Sequence, residues 1–193
     1  MNLTDKETAG KLIKSCQNGD KRGQQKLYQS FYGKMLNVCF RYAEDMDEAK
    51  DILQEGFIKV FASLNGFENK GSLEGWIRKI IVHTAIDYVR KKREVFVDIT
   101  DYSVQNEVSI ADTSDELSDY AKLRAEIILN LIQKLSPAYK TVFNLYVIEE
   151  YSHKEIAELL NISEGTSKSN YAKAKLNLKK LFDDHINQAN HEI

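Results

Sequence analysis

From residue 24 to residue 93, and again from residue 117 to residue 182, apolar side chains recur at spacings of three and four. Between them, residues 94–118 keep no such period. The two periodic tracts demand amphipathic helices, because only a helix brings positions i, i+3, i+4 and i+7 onto one face. The aperiodic stretch holds Glu94, Asp98, Asp101, Glu107, Asp112, Asp115 and Glu116 with no Lys or Arg. Val95, Phe96, Val97 and Ile99 suit a short strand, but the acids and polar residues around them favour an extended, flexible linker. The chain therefore predicts an all-α protein of two small helical domains, 1–93 and 119–185, joined by an acidic linker over 94–118 and followed by a tail over 186–193. A single proline in 193 residues leaves few places where helices must break.

Punctuation places the helices. Residues 5–20 carry Leu12, Ile13 and Cys16 on one face, and Asn18-Gly19-Asp20 signals a turn. A helix is predicted from Gln24 to Tyr42. Asp45-Met46-Asp47 opens the next, running to about Leu64, with acids where the helix dipole favours them. After the break at 65–71, Ser72 is placed to cap a helix from Leu73 to about Lys92. A helix follows from Leu117 to Leu135. Ser136 and Pro137 restart the next, as cap and first helical residue. Ser152 and Glu155 fit a capping box. Asn161 stands where a tight turn needs a left-handed residue, and Ser163 caps the last long helix.

This capped helix, short turn and capped lysine-rich helix have the form of a helix-turn-helix. With Tyr171, Ala174, Leu178 and Leu181 packed inward, the opposite face of the last helix carries Lys168, Ser169, Ala172, Lys173 and Leu176. Small residues permit close approach to a groove, and lysines reach phosphates or guanine edges. Thr166 and Glu164 lie at the end that enters first. Charge alone favours a solvated face on a bundle helix; the capped helix, short turn, Asn161 and capped basic helix together favour DNA binding. A formal net charge of −2 hides the unevenness: Arg90, Lys91, Lys92 and Arg93 on one side of the acidic stretch, and Lys168, Lys173, Lys175, Lys179 and Lys180 on the other. His153 has no sequence partner and reads as a solvated or phosphate-touching side chain.

In the N-terminal half, Trp76, Arg78, Lys79, His83, Asp87 and Tyr88 interleave aromatic rings with charges on one helix, after a polar, glycine-punctuated loop over 65–75. Such a pattern suits single-stranded nucleic acid, with cations on the backbone and bases stacked on rings. It equally suits a helix whose rings are core. Asp51, Gln54 and Glu55, with Glu48 and Lys59, form an acidic-amide face that is either plain surface or a protein-docking face.

The motifs DEAKDILQEGFIKVF, SLEGWIRKIIVHTAIDYVRKKR and LSPAYKTVFNLYVIEEYSHKEIAELLNISEGTSKSNYAKAKLNLKKL, in that order, resemble those of the extracytoplasmic-function sigma factors of the bacterial sigma-70 family. The resemblance covers roughly 10–93 and 120–182. It implies a factor that binds core RNA polymerase and directs promoter-specific initiation. Asp51, Gln54 and Glu55 would dock on the β′ coiled coil, and the second domain would meet the β flap. Asn65, Phe67, Trp76, Lys79, His83 and Asp87 would handle the opened −10 strand. Thr166, Lys168, Ser169, Ala172 and Lys173 would read the −35 major groove. The acidic linker would thread through polymerase, and an anti-sigma factor would be a further partner.

Three positions depart from the family pattern. His83 replaces a common Asn, Ser167 a common Val, and Asn170-Tyr171 a common Arg-Leu pair. Ser167 is expected to weaken a core contact slightly. The alternatives are a stand-alone helix-turn-helix regulator and a helical interaction protein. No catalytic, metal or cofactor site is expected: carboxylates do not cluster, metal spacings are absent, and Gly66 and Gly71 lack the Lys-Ser/Thr of a phosphate loop. Cys16 and Cys39 read as lone thiols in a reducing compartment. The N-terminus has no apolar h-region and no run nears the roughly 20 residues of a membrane span, so a cytoplasmic protein without membrane insertion is expected.

Overall fold

A computed structural model describes residues 6–67, 71–95 and 127–191. The linker expected over 94–118 lies outside them, apart from Glu94 and Val95, as do loop residues 68–70 and the start of the helix expected from Leu117. Every regular element among the described residues is helical. The chain divides into two compact units, Met1–Tyr88 and Val89–Ile193.

The first unit contains α1 (Lys6–Gln17), α2 (Lys21–Phe40), α3 (Met46–Ser63), a 3-10 turn (Leu64–Gly66) and α4 (Leu73–Val95) as far as Tyr88. The left-handed Gly19 closes the α1–α2 turn at φ 77°. Asp20 then accepts from the amides of Arg22 and Gly23, so α2 starts at Lys21, a turn earlier than the apolar pattern indicates. The difference arises because the first turn of α2 is polar and capped, not apolar. Asp45 caps α3 through the Glu48 amide, and Ser72 accepts from the Gly75 amide at the start of α4. α4 extends to Val95, so the helix carries two residues expected in the linker.

α2 packs against α1 and α3. Their shared core holds Leu27, Met35, Cys39, Ile52, Leu53 and Val60, joined by Ile77, Ile81 and Ala85 from α4. Each buried Leu, Ile, Val or Met among them contributes about 1.5–3 kcal/mol by leaving water. Gly56 lets α4 come close, because a Cβ there would collide with Ile81 Cδ1. Lys34 pairs with Glu74 at 2.8 Å, and Gln17 donates to the Leu64 carbonyl at 3.0 Å.

Beyond the end of α4, the described part of the second unit comprises α5, described over 127–133, then α6 (Pro137–Phe143), a π-helical turn (Asn144–Ile148), α7 (His153–Leu160) and α8 (Glu164–His191). Pro137 occupies the first turn of α6, but Ser136 makes no side-chain cap bond. Instead Lys140 is buried and donates from Nζ to Gln133 Oε1 at 2.9 Å, tying α6 back to α5. α6 and α7 both pack on α8. Leu131, Leu135, Val142, Leu145, Ile156 and Ala174 form the core. The segment expected as a tail after 185 is helical as far as His191.

Candidate nucleic-acid interface

The helix-turn-helix is built from local hydrogen bonds. Ser152 Oγ accepts from the Glu155 amide and Glu155 Oε2 accepts from the Ser152 amide at 2.8 Å, completing the capping box. The Ser152 hydroxyl, which donates to Glu155 Oε2 at 2.7 Å, and then the Ser152 amide hold the Glu155 carboxyl below its ordinary range. Asn161 ends α7 in the left-handed region, φ 52° and ψ 51°. Ser163 Oγ accepts from the Thr166 amide at 2.9 Å and starts α8. That geometry fixes α8 as the second helix of the motif.

Along α8 the buried and exposed stripes separate cleanly. Ser167 and Ala174 are fully buried, and Tyr171, Leu178 and Leu181 are half-buried. Thr166, Lys168, Ser169, Ala172 and Lys173 are all exposed. Lys168 pairs with Glu164 one turn earlier at 2.7 Å, and this contact lowers the Glu164 pKa. Thr166 Oγ1 lies 2.8 Å from the capping Ser163 Oγ. Lys173 Nζ sits over the Tyr139 ring, 6.0 Å from its centre. The face is cationic, with small side chains between the lysines.

His153, expected to be solvated or to touch a phosphate, is not fully solvated. Its ring is half-buried, stacks on Tyr146 and lies 2.9 Å from Ser167 Oγ. Burial and the Lys168 charge push its pKa down, against the pull of Glu164. Ser167 is therefore a polar contact between the two helices, not simply a weakened apolar one. Sequence spacing could not pair residues fourteen positions apart.

In the first unit, Trp76, Lys79, His83 and Asp87 share one stripe of α4 at spacings of three and four. Lys79 is exposed and the other three are half-buried. Asn65 is exposed on the 3-10 turn. Phe67 is only 7% exposed and packs on Trp76 with ring centres 5.1 Å apart. Its ring supports Trp76 from below the surface, which the polar character of its loop concealed. His83 has its pKa lowered by burial and by Lys79, with Asp87 acting the other way.

Asp51 and Gln54 are exposed on α3 with Glu55 half-buried beside them. Lys59, read from sequence only as part of that face, bridges Glu55 at 3.0 Å and Asp87 at 3.6 Å. Beside this face, Tyr28, Tyr32, Lys50, Gln54, Phe57, Ile58 and Phe61 line an open groove of about 430 Å³. Ile58 is 63% exposed there, an outward apolar residue the helical pattern did not single out.

Comparison with known proteins agrees with this architecture. The sigma-70 region 2 family matches residues 27–95 and sigma-70 region 4 matches residues 125–178. The ECF RNA polymerase sigma factor SigW of Bacillus subtilis is 30% identical over 189 residues, covering 90% of this chain and 96% of that protein. The RNA polymerase sigma factor YlaC of the same organism is 31% identical over 156 residues, covering 80% of this chain and 88% of that one. The sigma factor RpoE of Bartonella quintana, solved with the anti-sigma factor NepR, is 18% identical. That match covers 82% of this chain and 98% of that one with a TM-score of 0.48.

Proposed function

The chain belongs to the ECF sigma factors of the sigma-70 family, and from that premise we propose how its own residues carry the two steps of promoter recognition. Members of this family are initiation factors without catalysis of their own, and this chain is read as one that leaves nucleotidyl transfer to the polymerase. Thr166, Lys168, Ser169, Ala172 and Lys173 enter the −35 major groove, where hydroxyls and lysines meet base edges and phosphates. Asn65, Trp76, Lys79, His83 and Asp87 receive the opened −10 strand: Lys79 follows the backbone, and Trp76 offers a face to an unpaired base. Phe67 acts behind Trp76, holding that ring in place.

Asp51, Gln54 and Glu55 dock on the β′ coiled coil of core polymerase, and the second unit meets the β flap. Release from an anti-sigma factor controls access to both. Among the described residues, no helix is long and apolar enough to cross a membrane.

The observation that carries this reading is the capped helix-turn-helix in which all five α8 residues are exposed while Ser167 and Ala174 are buried. Initiation in vitro tests it. Core bacterial polymerase, this chain and genomic fragments are combined, and transcript 5′ ends are sequenced. Discrete starts below a shared −35/−10 pair, absent without the chain, are expected. Tight binding to duplex operators by the chain alone, with no specific starts, would replace it with a stand-alone regulator.

A further inference from the structure

Ser167 is fully buried in the first turns of α8, between Thr166 and Lys168. Its Oγ lies 2.9 Å from Nδ1 of His153, in the first turn of α7. The imidazole is held flat against Tyr146, with 4.3 Å between ring centres and 10° between planes. Tyr171 packs against both rings, at 5.8 Å from His153 and 4.6 Å from Tyr146. The π turn, α7 and α8 therefore meet at one polar tie, directly behind two residues of the reading face. We propose that His153, acting through Ser167, is a positioning residue that fixes how the first turns of α8 are presented to the −35 duplex, so that promoter selectivity depends on this bond.

The inference rests on the sigma-factor reading above and adds to it a determinant of selectivity. Hydrogen bonds to base edges weaken steeply with misalignment, so a helix free to rock against α7 discriminates less between bases. The stacked ring leaves the imidazole little freedom, and the Ser167 backbone amide is already bonded to the Ser163 carbonyl at 3.0 Å. The tie thus joins two residues that each have little local freedom, and it is what links α7 to α8 at this point.

The chemistry of the tie sets its pH behaviour. We assign the neutral ring the Nε2–H tautomer, in which Nδ1 accepts the Ser167 O–H. Protonation makes Nδ1 a donor, so the bond must reverse and the hydroxyl proton must turn elsewhere. The groups around the ring are Lys168, Glu164 and Tyr171 from α8, Tyr146 from the π turn, and Lys154 beside it in α7. Burial and Lys168 favour the neutral form; Glu164 opposes them. The accepting form therefore prevails at about pH 7.5 and gives way as pH falls below the ordinary histidine range.

The test uses holoenzyme reconstituted from core polymerase and the full chain, on the promoter recovered by start-site mapping and on the same promoter with one −35 base changed. His153→Phe keeps the stack on Tyr146 and removes Nδ1. Ser167→Ala removes only the hydroxyl. Each is expected to lower the cognate-to-mismatch initiation ratio about fivefold, the equilibrium weight of one ordinary hydrogen bond, with the double variant no worse than either. The wild-type ratio is expected to hold above about pH 6.5 and to fall below it, while that of His153→Phe stays level. An unchanged ratio in both single variants, an additive double variant, or a His153→Phe profile that follows wild type overturns the proposal. Should His153→Phe fail to fold, Ser167→Ala decides alone. Absence of promoter-specific starts with the wild-type chain overturns the sigma reading itself, which separates the two failures.

Discussion

Lys173 offers the most direct measure of the reading helix. It stands exposed near the centre of the proposed groove face, and among the described residues its contact is the Tyr139 ring, not a carboxylate. Lys168, by contrast, already spends its charge on Glu164 at 2.7 Å. A cation on a DNA phosphate displaces a condensed counterion, so each such contact adds about 0.9 to the steepness with which log affinity falls against log salt. Lys173→Gln removes one contact and should flatten that slope by about 0.9. Between 50 and 200 mM salt, a fourfold range, this corresponds to a roughly 3.5-fold smaller loss of affinity. The cation–ring contact, exposed and long, costs the fold little when lost, on the order of 0.5 kcal/mol.

The assay is equilibrium binding of reconstituted holoenzyme to a labelled promoter duplex across that salt range. Glu164→Gln is the informative companion: it frees Lys168, so the slope should steepen and affinity at low salt should rise. If Lys173→Gln leaves the slope unchanged, Lys173 touches no phosphate and α8 does not enter the groove by this face.

Other expectations follow from single sites. Glu150 is held in the left-handed region at φ 60°, where a side chain costs roughly 1 kcal/mol, so Glu150→Gly should raise the unfolding midpoint. Loss of stability in that variant would mean the Glu150 side chain contributes more than its backbone strain. Cys39 is buried, and burial pushes its pKa up to about 12, so it should resist alkylation in the native protein and react only on unfolding. Labelling of Cys39 at the rate of a free thiol would contradict its place in the core.

The histidines predict a pH response of defined sign. His83 and His153 both have folded pKa values below the ordinary 6.5, through burial first and then the nearby lysines Lys79 and Lys168. The neutral forms are favoured by folding. Their contribution is fully present above pH 6.5 and is lost as pH falls through the lowered folded values. Thermal melting of wild type against His83→Gln should therefore diverge below pH 6.5, with the variant losing less.

Much of this protein is set by interactions within one helical turn, and those the sequence determines. The acids before α3, the Ser152–Glu155 box, the left-handed Asn161 and the Ser163 cap each act over at most four residues. Their chemistry is the same in the unfolded chain's neighbourhood as in the fold. The inward faces of α2, α3 and α8 follow from helical period alone, and with them the outward set from Thr166 to Lys173. The start of α2 was less legible because its capping signal, Asp20, precedes a polar first turn.

Tertiary structure decided what depends on partners distant in the chain. Phe67 lies in a polar loop, yet Trp76 draws its ring under cover. Lys59 becomes a bridge only because α4 brings Asp87 within 3.6 Å of it. Gly56 acquires its purpose from the Ile81 side chain across the helix pair. His153 and Ser167 become a tie only once α7 folds back on α8 and Tyr146 supplies the stacking surface. Helical period tells which face turns inward, but it does not say which side chain waits there, and that second fact is what makes a buried serine a partner instead of a defect.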